Sequence, residues 1–331
     1  MKKTFFSLIS ILLAFLFLQT KNGNHKDSSV WECEEDFVRN ASVCKLKCPY
    51  GSFALPGMLS CHPWLSCETE LVIISVISLS VVKMVYLTKW QNYEVVLSVL
   101  SSKIYKDDFE QNLFMLKSLS GNSFVIQLLG FCDNMIITEY HPLGNALNTH
   151  YHFSHYLKPY DSIQTRLKLC INYVAIIELL HSSPVGVRVM CDSNTLEKTL
   201  SQYLLKTSLE LVVNDLDATP EVNNITKRGI HCGKNAPLGD LVAPEQKWLN
   251  INQKFNLSNM PLYDEKTDIW KIPNICNWFL GESSDADIVK YQLFKINQLC
   301  KNIKPAERPS ASNIKEAYEK IYAKQFQQKS L

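Results

Sequence analysis

Five of the eleven cysteines in this 331-residue chain lie between Cys33 and Cys67, in a segment that also contains several prolines and glycines. Cysteines this dense in a short, loop-rich segment are typical of disulfides formed in an oxidising compartment. A zinc knuckle is the alternative, but the segment has no Cys-x-x-Cys pair and its only histidine is His62. We therefore predict that at least two of the five are disulfide-bonded, and their odd number leaves one thiol that is free or pairs elsewhere. The five are Cys33, Cys44, Cys48, Cys61 and Cys67.

The amino terminus has the pattern of a targeting segment. Two lysines precede an apolar run from Phe5 to Leu18. The run is shorter than the ~20 residues that usually span a bilayer, but a basic and then apolar terminus predicts an export signal. Residues 19–29 show no convincing small-x-small cleavage site, so a retained signal anchor is favoured over a cleaved signal peptide. We expect residues 1–30 to form a cytoplasmic tip, anchor and stalk, and residues 31–69 to form a Cys-rich lumenal segment.

Three Asn-x-Ser/Thr sequons occur, at Asn40, Asn224 and Asn256. Each is a glycosylation acceptor if its segment lies in the secretory lumen. Two of them fall late in the chain, so the predicted topology places everything after residue 30 in the lumen.

The overall charge is nearly balanced, with 34 Lys and Arg against 32 Asp and Glu. A formal net charge of +2 gives no large basic field to attract a phosphate backbone, so we expect no nucleic-acid partner. The 46% hydrophobic content predicts packed globular structure in one or two domains.

A second apolar run extends from Leu71 to Val82. A transmembrane helix is one interpretation, but the run is short, contains three serines and is rich in Val and Ile, which favour strands. We predict a β-hairpin instead, with strands at Val81–Leu87 and Tyr93–Leu100 across a turn near Gln91 and Asn92.

The rest of the chain divides into a sheet-bearing lobe and a mainly helical lobe. After the hairpin, Lys106–Leu119 has helical spacing and is followed by short apolar runs at Phe124–Phe131 and Met135–Tyr140. This order predicts an α+β fold with a small lobe at residues 70–140 and a larger lobe at residues 141–325. Within the larger lobe we predict helices at Thr165–Leu180, Asp268–Leu280, Asp287–Cys300 and Asn313–Gln325, and short strands at Val187–Met190 and within Leu204–Val213.

Several ordered motifs resemble those of the protein-kinase fold. Ala243-Pro244-Glu245 matches the motif that closes a kinase activation segment, and Asp268-Ile269-Trp270 follows at the distance of the kinase Asp-x-Trp helix. Pro305 to Ser310 is similar to the late Pro-x-x-Arg-Pro-Ser/Thr motif. Their order and spacing predict a two-lobed, protein-kinase-like fold at residues 70–325.

The resemblance is closest to the protein O-mannose kinase family, over roughly residues 48–322. That resemblance implies an ATP- and Mg²⁺-dependent kinase of the endoplasmic reticulum membrane, single-pass and type II, with its catalytic domain in the lumen. The implied acceptor is the 6-hydroxyl of a protein-linked mannose in the GalNAc-β3-GlcNAc-β4-Man trisaccharide, chiefly on α-dystroglycan, where the phosphate is needed for a laminin-binding glycan. The similar segments are Cys48–Gly51, Pro63–Glu68, Thr138–Gly144, Ser183–Gly186, Val189–Asn194, Lys198–Leu205, Tyr263–Lys266 and Asp268–Pro273.

The resemblance assigns the acidic site residues. Asp192 takes the catalytic-loop position and is the expected general base, although Cys191 replaces the usual Arg before it. Asp215, in the place of the Asp-Phe-Gly aspartate, is the expected Mg²⁺ ligand. Gln202 lies where kinases have the metal-binding Asn, and it is a second expected ligand. Asp217 replaces the glycine of that motif, and we predict an exposed carboxylate rather than a further ligand.

The nucleotide-binding residues depart further from the kinase pattern. Ser98 occupies the position of the usual phosphate-binding lysine, so Lys83 of the preceding strand is expected to supply the cation. The usual Glu partner on the first helix is replaced by Asn112, which leaves Asp108 or Glu110 as partner, or none. Ser78 and Ser80 stand where a phosphate loop has glycines, whose lack of a Cβ lets backbone N–H groups approach phosphate. Glu139, at the hinge-like Thr138-Glu139-Tyr140, completes the expected nucleotide-binding set.

Two other functions stay open from the sequence. The serine-substituted phosphate loop is compatible with an inactive lumenal pseudokinase that acts as a glycan-binding module. The other function is that of a membrane receptor, in which the second apolar run spans the bilayer and the kinase-like region is cytosolic.

Overall fold

A computed structural model describes residues 30–222, 229–248 and 252–327 of the chain. The predicted signal anchor and the sequon at Asn224 lie outside these residues. No helix among the described residues is long and apolar enough to cross a membrane.

The Cys-rich segment folds as two small disulfide-closed hairpins. Strands β1 (Trp31–Asp36) and β2 (Ala41–Leu46) pair antiparallel, and a Cys33–Cys44 bond joins them across the register. Strands β3 (Ser52–Phe53) and β4 (His62–Pro63) follow, and a Cys48–Cys61 bond closes the loop around them. Cys67 pairs outside the segment, with Cys132. The predicted disulfides are therefore confirmed.

A five-stranded antiparallel sheet forms next, in the order β5-β6-β7-β9-β8. It contains one more strand than predicted, because the second apolar run forms a strand of its own and turns at Ser80 before the next strand begins. The membrane-helix interpretation of that run is therefore wrong, and the hairpin strand predicted from Val81 begins instead at Lys83. The strands are β5 (Val72–Leu79), β6 (Lys83–Trp90), β7 (Tyr93–Leu100), β8 (Leu128–Cys132) and β9 (Met135–Glu139).

Helix α1 (Lys106–Ser118) lies between β7 and β8, as its spacing predicts. Its first turn carries Asp107 and Asp108, which suit the positive end of a helix dipole. The chain leaves the helix through Gly121, whose φ of 85° falls in the left-handed region that favours glycine.

The remainder is mainly helical, with two pairs of short strands. Each predicted helix is present, although each begins two or three residues earlier than its apolar pattern predicts. The helices are α2 (Thr149–Ser154), α3 (Ile163–His181), α4 (Leu196–Ser201), α5 (Lys266–Leu280), α6 (Ser284–Cys300) and α7 (Ala311–Tyr322). The strand pairs are β10 (Val187–Arg188) with β13 (Glu221–Val222), and β11 (Tyr203–Leu205) with β12 (Leu211–Val213).

Two main hydrophobic cores hold these parts together. One face of the sheet packs on the Cys-rich segment, where Phe53, Leu55 and Leu65 meet Trp90 and Val95. The other face and α1 share a continuous core with the helical part. The described chain is therefore a mixed α and β structure, with a sheet-rich part followed by a helical part, and is consistent with a kinase-like fold.

Candidate active site

Lys83, the first residue of β6, reaches across to the helical part of the chain. A tight turn between Ser80 and Lys83 sets its position. The Ser80 N–H donates to the Lys83 carbonyl at 3.0 Å, and the Lys83 N–H donates to the Ser80 side-chain hydroxyl at 3.1 Å. The Lys83 ammonium lies 2.7 Å from Asp215 Oδ1 and 3.9 Å from Asp217 Oδ2. One buried cation therefore faces two carboxylates.

The two carboxylates follow strand β12, and their pKa values are shifted in opposite directions. Burial on its own would raise the pKa of Asp215, but the charge and hydrogen bond of Lys83, with Asp217 and Lys198, together lower that pKa. Burial and the charge of Asp215 raise the pKa of Asp217 to about 7. The prediction that Asp217 is exposed is wrong, because only 10% of its side chain is accessible and Lys83 draws it toward the cluster.

Gln202 is hydrogen-bonded to the backbone of Asp215. Its backbone carbonyl accepts hydrogen bonds from the N–H groups of Asn214 at 2.8 Å and Asp215 at 3.3 Å. Its side-chain Nε2 donates to the Lys198 carbonyl at 2.9 Å. The other amide atom, Oε1, is buried and has no hydrogen-bond partner among the described residues. Two carboxylates and this unpartnered oxygen form the kind of donor set that a hard cation prefers.

Asp192 lies in the loop after β10, and residues of helix α5 hydrogen-bond to this loop. The Met190 N–H donates to Asp268 Oδ2 at 3.0 Å, and the fully buried Lys271 donates to the Met190 carbonyl at 3.2 Å. The Asp192 side chain itself is 42% exposed and points to solvent and to Lys198. A carboxylate on a rigid loop that an acceptor hydroxyl can approach has the properties of a general base.

Lys198 is a site residue that the sequence pattern did not single out. Its Nζ lies 2.7 Å from Asp192 Oδ2. Burial would lower its pKa, but the bond to Asp192 and the charges of Asp215 and Asp217 raise it. The available signal was Thr195, a helix N-cap residue whose hydroxyl accepts the Lys198 N–H. That cap places Lys198 one turn into α4, facing the carboxylate just before the helix.

Helix α1 contacts the cluster through a neutral hydrogen bond rather than an ion pair. The Asn112 side-chain oxygen accepts the Leu216 N–H at 3.0 Å. Glu110 pairs with Lys106 at 3.4 Å. Among the residues that the structure describes, the carboxylates within ion-pair distance of Lys83 are Asp215 and Asp217, so the partner of Lys83 comes from neither Asp108 nor Glu110.

The other predicted nucleotide-binding residues lie on the sheet. Ser78 is exposed on β5, and the Ser80 hydroxyl is bonded within the turn that positions Lys83. The Glu139 carboxylate accepts the Gln127 N–H at 2.9 Å and lies 3.3 Å from His141 and 3.8 Å from Lys45. Burial would raise the pKa of Glu139, but Lys45 and His141 hold it well below its ordinary value. The Glu139 side chain is thus held by an ion-pair network at the end of the sheet.

The two described sequons and the kinase-like motifs also have defined places. Asn40 is exposed in the turn between β1 and β2, and Asn256 is exposed at the start of a short 3₁₀ helix.

Glu245 of the Ala-Pro-Glu motif bonds to the buried Arg308 of the Pro-x-x-Arg-Pro motif, with Nη2 to Oε2 at 2.7 Å. Motifs more than sixty residues apart in sequence are therefore in direct contact.

Comparison with known proteins identifies relatives of this chain. No protein-family model matches it. It is similar to proteins named protein O-mannose kinase: it is 46% identical over 292 residues to that of Homo sapiens, covering 86% of this chain and 83% of the relative. The identity is 47% over 282 residues with the protein of Gallus gallus, covering 83% and 79%. With that of Xenopus laevis it is 43% over 284 residues, covering 83% and 80%.

Proposed function

This chain belongs to the protein O-mannose kinase family, and from that membership we propose that it transfers a phosphoryl group from ATP to the 6-hydroxyl of a protein-linked mannose. The acceptor we propose is the mannose of the GalNAc-β3-GlcNAc-β4-Man trisaccharide on α-dystroglycan, where the phosphate supports assembly of the laminin-binding glycan. The observation that carries the proposal is the arrangement of Asp192 and Lys198 beside the buried cluster of Lys83, Asp215 and Asp217.

The proposed chemistry divides between the acceptor side and the phosphate side of this cluster. Phosphoryl transfer needs an acceptor hydroxyl held in line, a carboxylate that takes its proton, and positive charge around the transferred group. Asp192 is the general base, because its carboxylate is accessible while its loop is fixed. Lys198 holds the carboxylate of Asp192 through a 2.7 Å ion pair and adds positive charge beside the transferred phosphoryl.

We assign Mg²⁺ binding to Asp215, Asp217 and Gln202. The two carboxylates and the unpartnered Gln202 Oε1 fit a hard cation, which takes oxygen ligands. When bound by these residues, Mg²⁺ would supply positive charge that offsets the charge of the phosphates. Lys83 holds the carboxylates and supplies the phosphate-binding positive charge, because Ser98 stands at the position where kinases usually have the lysine. The turn at Ser80 and the strand at Ser78 take the place of a glycine-rich loop. Glu139 lies at the end of β9, on the proposed adenine side of the site.

The same family membership and the four disulfides among the described residues support a location in the endoplasmic reticulum. We propose a type II, single-pass protein in which residues 1–30 include the membrane anchor. Residues 31–69 and the two-lobed, kinase-like part at residues 70–325 then lie in the lumen, where the O-mannosyl glycan is available. Nucleic acid is not among the proposed partners.

Two substitutions test the assignment of roles. Asp192→Asn should keep ATP and Mg²⁺ binding but lower kcat by about 10² to 10⁴-fold, since it removes a positioned base. Asp215→Asn should instead weaken Mg²⁺-dependent ATP binding. Calorimetry with ATP and Mg²⁺, paired with phosphate transfer to the trisaccharide, reads both effects. Asp287→Asn is the matched control, because that side chain is 76% exposed on α6.

The contrary results are distinct. Absence of nucleotide binding by the unmodified protein at millimolar ATP would sink the kinase proposal and favour the glycan-binding pseudokinase. Full turnover by Asp192→Asn would remove Asp192 from the base role and leave the kinase activity standing.

A further inference from the structure

A disulfide joins the residue next to the proposed base to the segment that precedes the Ala-Pro-Glu motif. Cys191 directly precedes Asp192, and it is bonded to Cys232. In sequence, Cys191 stands where kinases carry the arginine of the catalytic loop. In many kinases that arginine pairs with a phosphorylated residue of the activation segment, and the pair orders the segment. Here a covalent bond connects the same two elements.

The Cys232 end of the bond is anchored to the chain before helix α5. The neighbouring Ile230 pairs with Tyr263 through two backbone bonds, one of 2.8 Å from the Ile230 N–H and one of 3.2 Å from the Tyr263 N–H. The Cys232 N–H donates to the Tyr263 hydroxyl at 2.5 Å. A Cβ on Gly229 would lie 2.5 Å from the Tyr263 carbonyl oxygen, so the close approach at this point requires glycine. Cys232 is therefore fixed in place on its own side.

The Cys191 end is part of the catalytic loop. Its N–H donates to the Ala218 carbonyl at 3.0 Å, next to Asp217, and its carbonyl accepts the Ser193 N–H at 2.8 Å. Cys191 is 6% exposed and packs with Val189, Val222, Ile230 and Tyr263. These contacts join the loop of Asp192 to the strand that follows the proposed metal ligands.

We propose that Cys232 is a positioning residue of the phosphoryl transfer, which acts through Cys191 to hold Asp192. The inference rests on the proposed kinase function. In other kinases a phosphate–arginine pair orders the activation segment. Here the disulfide orders it, so phosphorylation of the activation segment is not needed. Reduction of the bond, which adds two electrons and two protons and yields two thiols, releases the loop from that segment. The kinase is then fully active only where this disulfide forms.

The test compares disulfide variants by kcat and by ATP affinity. Cys191→Ser, Cys232→Ser and the double variant should each lower kcat by about 10- to 100-fold, because a misplacement of about 1 Å at a catalytic group costs on that order. The double variant should be no slower than either single variant, since all three lack the same bond. The Kd for ATP with Mg²⁺ should stay within about twofold, because Lys83 and Asp215 are untouched.

Three further measurements complete the test. Removing the remote Cys48–Cys61 bond with the paired Ser substitutions should leave kcat unchanged, which separates positioning from a general loss of disulfides. A Cys191→Val and Cys232→Val pair, which fills the space with apolar side chains, keeps the test usable if serine variants fail to fold, and it should be as slow as the serine pair. Dithiothreitol should slow the unmodified protein toward the double variant and slow the double variant itself much less.

Each outcome decides one statement. Wild-type kcat in a folded double variant would overturn the positioning role of Cys232. An equal loss of kcat on removal of the Cys48–Cys61 bond would overturn the claim that the effect is specific to the Cys191–Cys232 bond. Absence of phosphate transfer by the unmodified protein would overturn the kinase function itself, and the wild-type assay detects that failure first.

Discussion

At the scale of single residues, the cation of the site comes from a different strand than the kinase pattern predicts. In the register of β6 and β7, Lys83 pairs with Leu100 and Val85 pairs with Ser98. Alternate residues of a strand share a face, and paired residues lie on the same face. Lys83 and Ser98 therefore lie on one face of the sheet, so we expect a lysine at either position to extend toward the side on which Asp215 lies.

This geometry predicts that the lysine can be moved. Lys83→Met should weaken ATP binding by roughly 10- to 100-fold, because a hydrogen bond to a charged group contributes about 1.5–3 kcal/mol. Adding Ser98→Lys to Lys83→Met should restore part of that affinity. Calorimetry with ATP and Mg²⁺ measures both variants. Lys89→Met, on the same strand but exposed, is the control and should bind ATP normally.

Two results would count against this view of the site. Normal ATP affinity in Lys83→Met would show that Lys83 is a structural partner of Asp215 alone. An equally weak double variant would show that only β6 delivers the ammonium to the correct place.

The candidate site residues could be named from the sequence, but their surroundings could not. Asp192, Asp215 and Lys83 could be predicted because each stands in or beside a short motif. The burial of Asp217 depends on Lys83, which is more than 130 residues away. The pairing of Lys198 with Asp192 depends on where α4 begins. The first contact is set by tertiary structure, which local sequence patterns do not encode, whereas the second follows from the helix start that the Thr195 cap fixes.

At the scale of elements, strand β5 shows why a short apolar run is ambiguous. All eight of its residues are exposed, including Val72 at 65% and Ile73 at 58%. Apolar runs of this length occur in buried strands, in buried helices and near membranes, so composition alone does not separate them. The Val and Ile content favoured the strand, and the prediction of a strand structure was correct although its boundaries were not.

The observed helix starts also differ from the predicted ones. Helices α3, α6 and α7 each begin after a serine whose hydroxyl accepts a backbone N–H, at Ser162, Ser283 and Ser310. These caps lie three or four residues before the predicted helix starts at Thr165, Asp287 and Asn313. A periodic apolar pattern therefore finds the helix but places its start too late.

Strand β5 also carries a prediction about stability. Val72 faces Lys89 across β5 and β6, so Val72→Glu should form an opposite-charge pair and change the free energy of unfolding by no more than about 0.5–1 kcal/mol. Val95→Glu, at a fully buried position of β7, should lose more than about 4 kcal/mol. Urea denaturation of both variants measures the difference. Equal and severe losses would mean that β5 is covered in the native protein.

At the scale of the whole molecule, disulfides join parts that lie far apart in sequence. Cys67 pairs with Cys132 of the sheet, and Cys191 pairs with Cys232. The crowding of cysteines predicted bonds within the first segment, but neither long-range bond could be deduced from spacing. Cys170, Cys276 and Cys300 are reduced and buried in the helical part. Eight of the eleven cysteines are therefore oxidised in this structure, which suits a protein of the secretory lumen.

The lumenal topology leads to a prediction about glycans. Asn40 and Asn256 are exposed, one beside the Cys-rich segment and one in the helical part, and both should carry a glycan if everything after residue 30 is lumenal. Each Asn→Gln substitution should remove one glycan from the mass of the protein expressed in animal cells. Ser42→Ala and Ser258→Ala should have the same effect, because they destroy the sequons and keep the asparagines. Glycosidase treatment and gel mobility measure the result. If the glycosidase leaves the unmodified chain unchanged, the lumenal placement loses its support, and a cytosolic kinase-like region becomes the better account.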